Sequence, residues 1–393
     1  MAGVTKHIYD RDIIEIQRMW SKHLKSIADI MPYEYSYTDV IDLLKKYYPY
    51  EWKSVEYKKL YYDKKDYYIK RHKGKIRYNM PNAETLIKRN PTYKKLISKE
   101  FREQYNKNFS AEKQREVAES LWRKRKIKIE KVDLKIKNAK EKTQSVTPAF
   151  IDQMMDLYAR KTTSQHDKVY ILHELIKYYN PKVIQFLFKL NDTELNIQLR
   201  KLAFARLQSL NFQPRLRGQK DMQAPTSNKK RKQYLLKQYP YEKSSLEYTP
   251  TELEYRICNG GEQQIKTYDY FISHSSVDST IVQQLIDNLN ASNKNVFCDW
   301  ISDSDYLKRN LLCEATLKVI EWRLEQSDAV IFVNTKNSYK SIWCKYELNY
   351  FYELGKPIYY LTDKDLQDGC YKLKKYDIDA VYDPKYKMIN LGV

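Results

Sequence analysis

Residues 268–278 read YDYFISHSSVD, and residues 327–348 read SDAVIFVNTKNSYKSIWCKYEL. In the first, Tyr270, Phe271 and Ile272 form a short apolar run that stops at Ser273-His274-Ser275. In the second, AVIFVN (329–334) is apolar on successive positions rather than alternate ones, which is the pattern of a strand covered on both faces. The text between and after them agrees. VDSTIVQQLIDNLNAS (277–292) places Ile281, Leu285 and Leu289 on one helical face, and NVFCDW (295–300) reads as a second strand. LKRNLLCEATLKVIEWRLEQS (307–327) is a helix with Leu311, Ala315 and Val319 in a row, SIWCKYELNYFYELG (341–355) is a short helix closed by Gly355, and KPIYYLTD (356–363) supplies a further strand. Strands alternating with helices predict an α/β, flavodoxin-like doubly wound parallel sheet over residues 266–393.

Upstream the periodicity is helical. Ile13, Ile16, Trp20, Leu24 and Ile27 recur at three to four residues, and Thr38-Asp39 caps a second helix through Leu43 and Leu44 that Pro49 ends. Residues 47–78 interleave tyrosine with lysine, a texture that suits rings packed in a core under lysine stems and equally suits stacking on single-stranded nucleic acid. Residues 110–143 contain neither glycine nor proline and carry Ile129, Val132, Ile136 and Ala139 as a stripe opposite the basic run RKRKIKIEK (123–131). After Thr147-Pro148, residues 168–211 read helix, turn, helix, turn, helix; HEAT-type repeats and a small helical bundle both fit. From residue 212 periodicity fades around Pro214, Gly218, Pro225, Lys229-Lys230-Arg231-Lys232 and Pro240. The expected organisation is a mostly α basic region at 1–211 for sensing or oligomerisation, a linker at 212–265, and the α/β domain at 266–393.

Charge follows that division. The formal net charge of the 393 residues is +21. Residues 266–393 hold 16 basic against 18 acidic side chains, and residues 1–265 hold 55 against 32. A segment this basic suits polyanions, and a lysine-rich helical surface that is merely solvated has the same composition.

Several classes are excluded. Eight glycines in the whole chain cannot assemble a P-loop or a G-x-G-x-x-G turn. The five cysteines are widely spaced and never C-x-x-C, and no histidine pair has zinc-ligand spacing, so neither a resident metal nor a disulfide frame is expected. No apolar run approaches the ~20 residues that cross a bilayer. Asp10, Asp12, Glu15 and Lys25 stand where a signal peptide would be apolar, so a cytoplasmic location is expected and no membrane partner.

YDYFISHSSVD (268–278) resembles the first conserved box of the Toll/interleukin-1 receptor (TIR) domain, and NSYKSIWCKYEL (337–348) resembles the S-x-W-C-x-x-E-L helix of plant and bacterial TIR domains. The two motifs fall in the order and setting that family has, over about 125 residues; nothing comparable covers residues 1–265. The resemblance implies cleavage of NAD⁺ between nicotinamide and ribose, with NAD⁺ as substrate rather than resident cofactor, in an antiphage or immune setting. It assigns the catalytic role to Glu347, with Trp343 one helical turn earlier in its pocket. Ser273, His274 and Ser275 at the end of the first strand, and Asp299 and Trp300 at the end of the second, are the expected substrate contacts. One departure stands out: DWISDSDYLKRN (299–310) lacks the Pro-Gly of the family's second box, which commonly mediates contacts between TIR domains, and Tyr306 and Lys308 are the residues available to replace it.

A carboxylate at that position is chemically apt. Breaking the nicotinamide bond leaves positive charge on the ribose, as in glycoside cleavage, and the leaving group is already cationic, so one fixed anion suffices. The expected partners are NAD⁺, further copies of the chain through the TIR and helical regions, and an effector or phage-derived trigger. A non-catalytic TIR scaffold and a nucleic-acid-binding protein acting through the basic region are the competing readings.

Overall fold

The computed structural model describes residues 4–219, 222, 226–238, 244–308 and 313–378. The expectations placed on Pro225, Pro240, Leu311 and residues 309–310 lie outside them. The chain divides into two units, Met1–Asn138 with Gln208–Gln213, and Ala139–Leu207 with Pro214–Val393. Among the described residues no helix is long and apolar enough to cross a membrane.

The first unit is helical. Its opening helix, Val4–Ile27, buries Ile16, Trp20, Leu24 and Ile27 as the spacing requires, with Ile13 half-buried. The second, Tyr37–Tyr47, is capped by Ser36 reciprocally with Asp39, two residues before the expected cap at Thr38. Pro49 begins the next helix, Pro49–Lys73, rather than only ending the previous one, because its missing N–H costs nothing at a first helical position. The tyrosine-rich stretch lies on this helix and supplies core. Tyr62 packs edge-on to Tyr9 and beside Tyr78, and its hydroxyl donates to buried Asp12 at 2.7 Å, which Lys58 also reaches. Tyr67 and Tyr68 remain exposed. The long helix runs Ala111–Lys140, and the predicted apolar stripe along it is half-buried.

The second unit contains a five-stranded sheet of order β2-β1-β3-β4-β5: β1 Tyr268–Ser273, β2 Val296–Phe297, β3 Ser327–Asn334, β4 Ile358–Thr362 and β5 Lys374–Lys375. The first four are mutually parallel and β5 is antiparallel on β4, so the sheet is mixed at one edge where wholly parallel pairing was expected. Helices Ser279–Ala291, Glu314–Glu325 and Ile342–Glu353 cover its two faces over separate apolar clusters. Strand order reverses between β1 and β3, and in such sheets ligands sit outside the carboxyl ends at that switch point.

Residues 139–207 side with this sheet, where the sequence reading grouped them with the first helices. The reason is specific hydrogen bonding. The Gln144 side chain donates to Val296 O at 2.7 Å and accepts from Val296 N at 3.0 Å, so its amide pairs with the open edge of β2 as a further strand would. Much of the expected linker is also structured, since helix Pro250–Asn259 buries Leu253 and Ile257 against Tyr170, Tyr306 and Val319. Between these helices and the sheet lies a buried charged network. Glu174 accepts from Lys177 at 2.8 Å and from Lys266, while Arg323 donates to Asp303 at 2.8 Å and to Gln263 at 2.7 Å. Arg256 holds Glu262 through two bonds of 2.8 Å.

Arg323 and Asp303 have fully buried side chains. Arg323→Met, which leaves Asp303 without its guanidinium, should therefore lower unfolding free energy by about 3–5 kcal/mol, read as a shifted urea midpoint. Lys182→Ala, whose partner Asp152 is exposed, should leave that midpoint unchanged.

Candidate active site

Ser273 is the last residue of β1, and its hydroxyl donates to Glu347 Oε2 at 2.6 Å. Glu347 arrives from the other side of the switch point. The helix Ile342–Glu353 starts at Ser341, whose hydroxyl accepts from the Cys344 N–H, and Glu347 lies one turn beyond half-buried Trp343, which packs against the apolar cluster of Phe332, Cys344 and Phe351. Burial pushes the Glu347 carboxyl up to about 8; the Ser273 hydrogen bond pulls it down, and the nearby Asp299 charge raises it again. Neighbouring Cys344 is buried, and burial followed by the Glu347 charge raises its thiol to about 12. Glu347 is thus a carboxyl with a small free-energy gap between its neutral and charged forms at neutral pH.

The loops that frame this pair are tied across the switch point. Asp278, after β1, accepts from Thr335 Oγ1 at 2.6 Å and from Asn337 Nδ2 at 2.8 Å, both after β3, and Ser338 Oγ donates to Val333 O. The sequence reading passed over these residues. Asp278 closes the motif-like stretch 268–278, yet nothing in its spacing announces a partner 57 positions later.

The other expected contacts form a second group. β2 stops at Phe297, and Asp299–Ser302 is a helical turn, so Asp299 and Trp300 lie on that turn rather than ending a strand. Two polar atoms of this group converge on Cys298: His274 Nε2 lies 3.9 Å from Cys298 Sγ, and Asp299 Oδ1 lies 4.0 Å from it. His274 Nε2 and Asp299 Oδ1 are 3.8 Å apart. Trp300 packs on the apolar cluster of Ile272, Cys298 and Ile301, and its buried indole N–H has no partner among the described residues. Ser275 is half-buried at the start of the turn Ser276–Asp278. Tyr306, expected as a surface contact, is buried beside Tyr248 and Val319 because helix Pro250–Asn259 covers it; Lys308 is exposed. A surface groove of about 880 Å³ in the first unit, bordered by Ile13, Arg18, Lys22 and Arg89, assembles no comparable pair of reactive groups.

A doubly wound sheet with a serine-anchored carboxyl at its switch point, carried on an S-x-W-C-x-x-E-L helix, defines a TIR domain. The TIR domain profile matches residues 271–362. The chain is 33% identical over 378 residues to "Putative cyclic ADP-D-ribose synthase TIR2" of Cytobacillus dafuensis, covering 96% of this chain and 97% of that protein. Similarity at this level over nearly the whole length means that the chain belongs to the TIR-domain family. It is also 29% identical over 112 residues to "Probable 3' cyclic ADP-D-ribose synthase ThsB'" of Bacillus cereus (strain MSX-D12), covering 28% of this chain and 58% of that protein. No solved structure matches.

The raised Glu347 pKa has a thermodynamic consequence of definite sign. A carboxyl that ionises less readily folded than unfolded costs nothing below the unfolded value near 4.3 and destabilises increasingly as pH rises toward about 8. Glu347→Gln should therefore melt close to the wild type at pH 4.5 and above it at pH ~8, with the difference in melting temperature growing across that window.

Proposed function

We propose that the chain cleaves the nicotinamide–ribose bond of NAD⁺ and closes the remaining ADP-ribose into a cyclic product that serves as a signal in antiphage defence in the cytoplasm. The observation that carries this reading is the Ser273–Glu347 pair at the switch point. The cyclic outcome, rather than water attack giving linear ADP-ribose, is supported by the printed names of both relatives.

In this mechanism the bond between the ribose C1′ and the nicotinamide nitrogen breaks with its electron pair leaving on nitrogen, which neutralises the pyridinium. The ribose is left as an oxocarbenium-like cation. Glu347 as carboxylate faces that charge, and its apolar surroundings make the attraction stronger than it would be in water. Ser273 orients the carboxylate through its 2.6 Å hydrogen bond. Trp343 gives the site one apolar wall, and Ser275, His274, Asp299 and Trp300 are available to ribose hydroxyls and the adenine half. A nucleophile on the adenosine end of the same molecule then attacks C1′, and its proton passes to solvent. The cationic substrate itself favours the charged form of Glu347, which offsets the cost of burial. No resident cofactor is required, because the leaving group is neutral once released.

Glu347→Gln keeps the shape and the hydrogen bond to Ser273 while deleting the charge. Nicotinamide release should fall by at least about 100-fold, near 3 kcal/mol, with the fold intact by circular dichroism. For the wild type, kcat/KM should rise with pH and level off above about 8, as free Glu347 ionises. Retention of more than a tenth of wild-type turnover in Glu347→Gln would leave the scaffold reading in its place.

This reading includes completion of the site by another copy of the chain, with the helical regions as oligomerisation and trigger-sensing elements. Specific activity should climb between nanomolar and micromolar protein or when phage extract is added. Constant specific activity, with a monomer by light scattering throughout, would refute this assembly requirement.

A further inference from the structure

We propose that His274, Cys298 and Asp299 form a binding site for one zinc-class divalent ion whose fourth coordination position stays open. Among the described residues this is the one place where three such donor atoms converge. The three separations are nearly equal: 3.8 Å from His274 Nε2 to Asp299 Oδ1, 3.9 Å from Nε2 to Cys298 Sγ, and 4.0 Å from Sγ to Oδ1. They are long for hydrogen bonds within the group. The centre of a tetrahedron built on such a triangle lies about 2.4 Å from every corner, close to usual zinc distances of about 2.3 Å to sulfur and 2.0–2.2 Å to nitrogen and oxygen.

The surroundings orient the donors. His274 Nδ1 lies 3.1 Å from Ile272 O, which places its proton there and leaves the Nε2 lone pair facing Cys298 and Asp299. The backbone N–H of Trp300 donates to Asp299 Oδ1 at 2.8 Å, holding the carboxylate over the thiol and leaving that oxygen a second lone pair. Cys298 is 1% exposed and the His274 side chain 4%, whereas the Asp299 side chain is 55% exposed. Two ligands are thus fixed in the wall of the fold and the third closes from solvent, where a water completes a tetrahedron. Thiolate, imidazole and carboxylate together select zinc or cobalt over magnesium or calcium. Binding exchanges the Cys298 proton for the ion and releases that proton to solvent, with no change in oxidation state.

His274 adjoins Ser273, so the ion would sit beside the Ser273–Glu347 pair and engage two side chains offered to the substrate. Zinc is then a brake on cleavage. This second part rests on the reading given under Proposed function; the binding itself does not, and separate measurements address the two.

Binding is tested by titrating the metal-free full-length protein with Co²⁺ and following the thiolate-to-cobalt charge-transfer and ligand-field absorption. One equivalent should develop both, and Cys298→Ser should abolish the charge-transfer band while the far-ultraviolet circular dichroism is retained. Absence of the band in the wild type, or its survival in Cys298→Ser, overturns the site, since survival would place the metal on exposed Cys258 or Cys370. Should Cys298→Ser not fold, the exposed position serves: Asp299→Asn should keep the band and weaken cobalt binding by more than the about 10-fold that loss of even an outer-shell partner costs. Unchanged affinity would overturn the site. For the brake, zinc should slow nicotinamide release by the wild type and not by Cys298→Ser. Equal inhibition of both, or none of a zinc-loaded wild type, overturns the brake, whereas a chain that releases no nicotinamide under any condition refutes the functional reading and leaves the cobalt result standing.

Discussion

The second unit depends on charges that have been taken out of water. Glu174, on a helix far upstream of the sheet, is held by Lys266 at the threshold of β1, and Asp303, just past β2, is held by Arg323 under the sheet. Gln263 touches both pairs, donating to Glu174 and accepting from Arg323. A buried ion loses several kcal/mol of hydration, and the loss is offset only when geometry and remaining hydrogen bonds are nearly complete. Here burial alone would raise both carboxyls, yet each is held below the ordinary carboxylate range, Glu174 by Lys177 and Lys266 and Asp303 chiefly by Arg323. Such a network tolerates few alternative arrangements and therefore specifies one.

Its location gives it functional weight. The segment after β2, which carries Cys298, Asp299 and Trp300, is gripped from below by residues that precede the sheet in the chain. Lys177 donates to Ser302 O at 2.5 Å, Lys142 donates to Ser304 Oγ at 3.1 Å, and Gln144 pairs with Val296. Residues 142–177 are therefore part of the scaffold that positions one rim of the site. The opposite rim is positioned locally, by the cap at Ser341 and the Asp278–Thr335 bond. The Asp299 rim is thus held by residues upstream of the sheet, whereas the Glu347 rim is held by bonds within the sheet's own segment.

The site itself combines two unlike environments within one crevice. Glu347 and Cys344 sit among apolar groups that disfavour charge, and burial is the first cause of both raised values. Asp299 stands exposed a short distance away, and its charge is among the causes that raise Glu347.

Local patterning determined much of this protein. The apolar run AVIFVN, the alternation with helices, the stripe through Trp20 and the motif around Trp343 and Glu347 each depend on spacings of two to four residues, which the chain displays directly. That Glu347 faces the end of β1 was legible through the motif, and Ser273 was singled out, although as a substrate contact rather than as the donor to Glu347. What only the tertiary structure decided are the pairings between distant positions. Gln144 on the edge of β2, Glu174 on Lys266, Asp278 on Thr335, and His274 beside Cys298 and Asp299 join residues from 24 to 152 apart. A buried polar side chain and an exposed one look alike in a sequence; hydrogen-bond satisfaction is settled only when the fold brings the partner within about 3 Å. The same reason explains the regrouping of residues 139–207, whose polar anchors carry no periodic signal, while the structured linker rests on Leu253 and Ile257, whose apolar partners lie far along the chain.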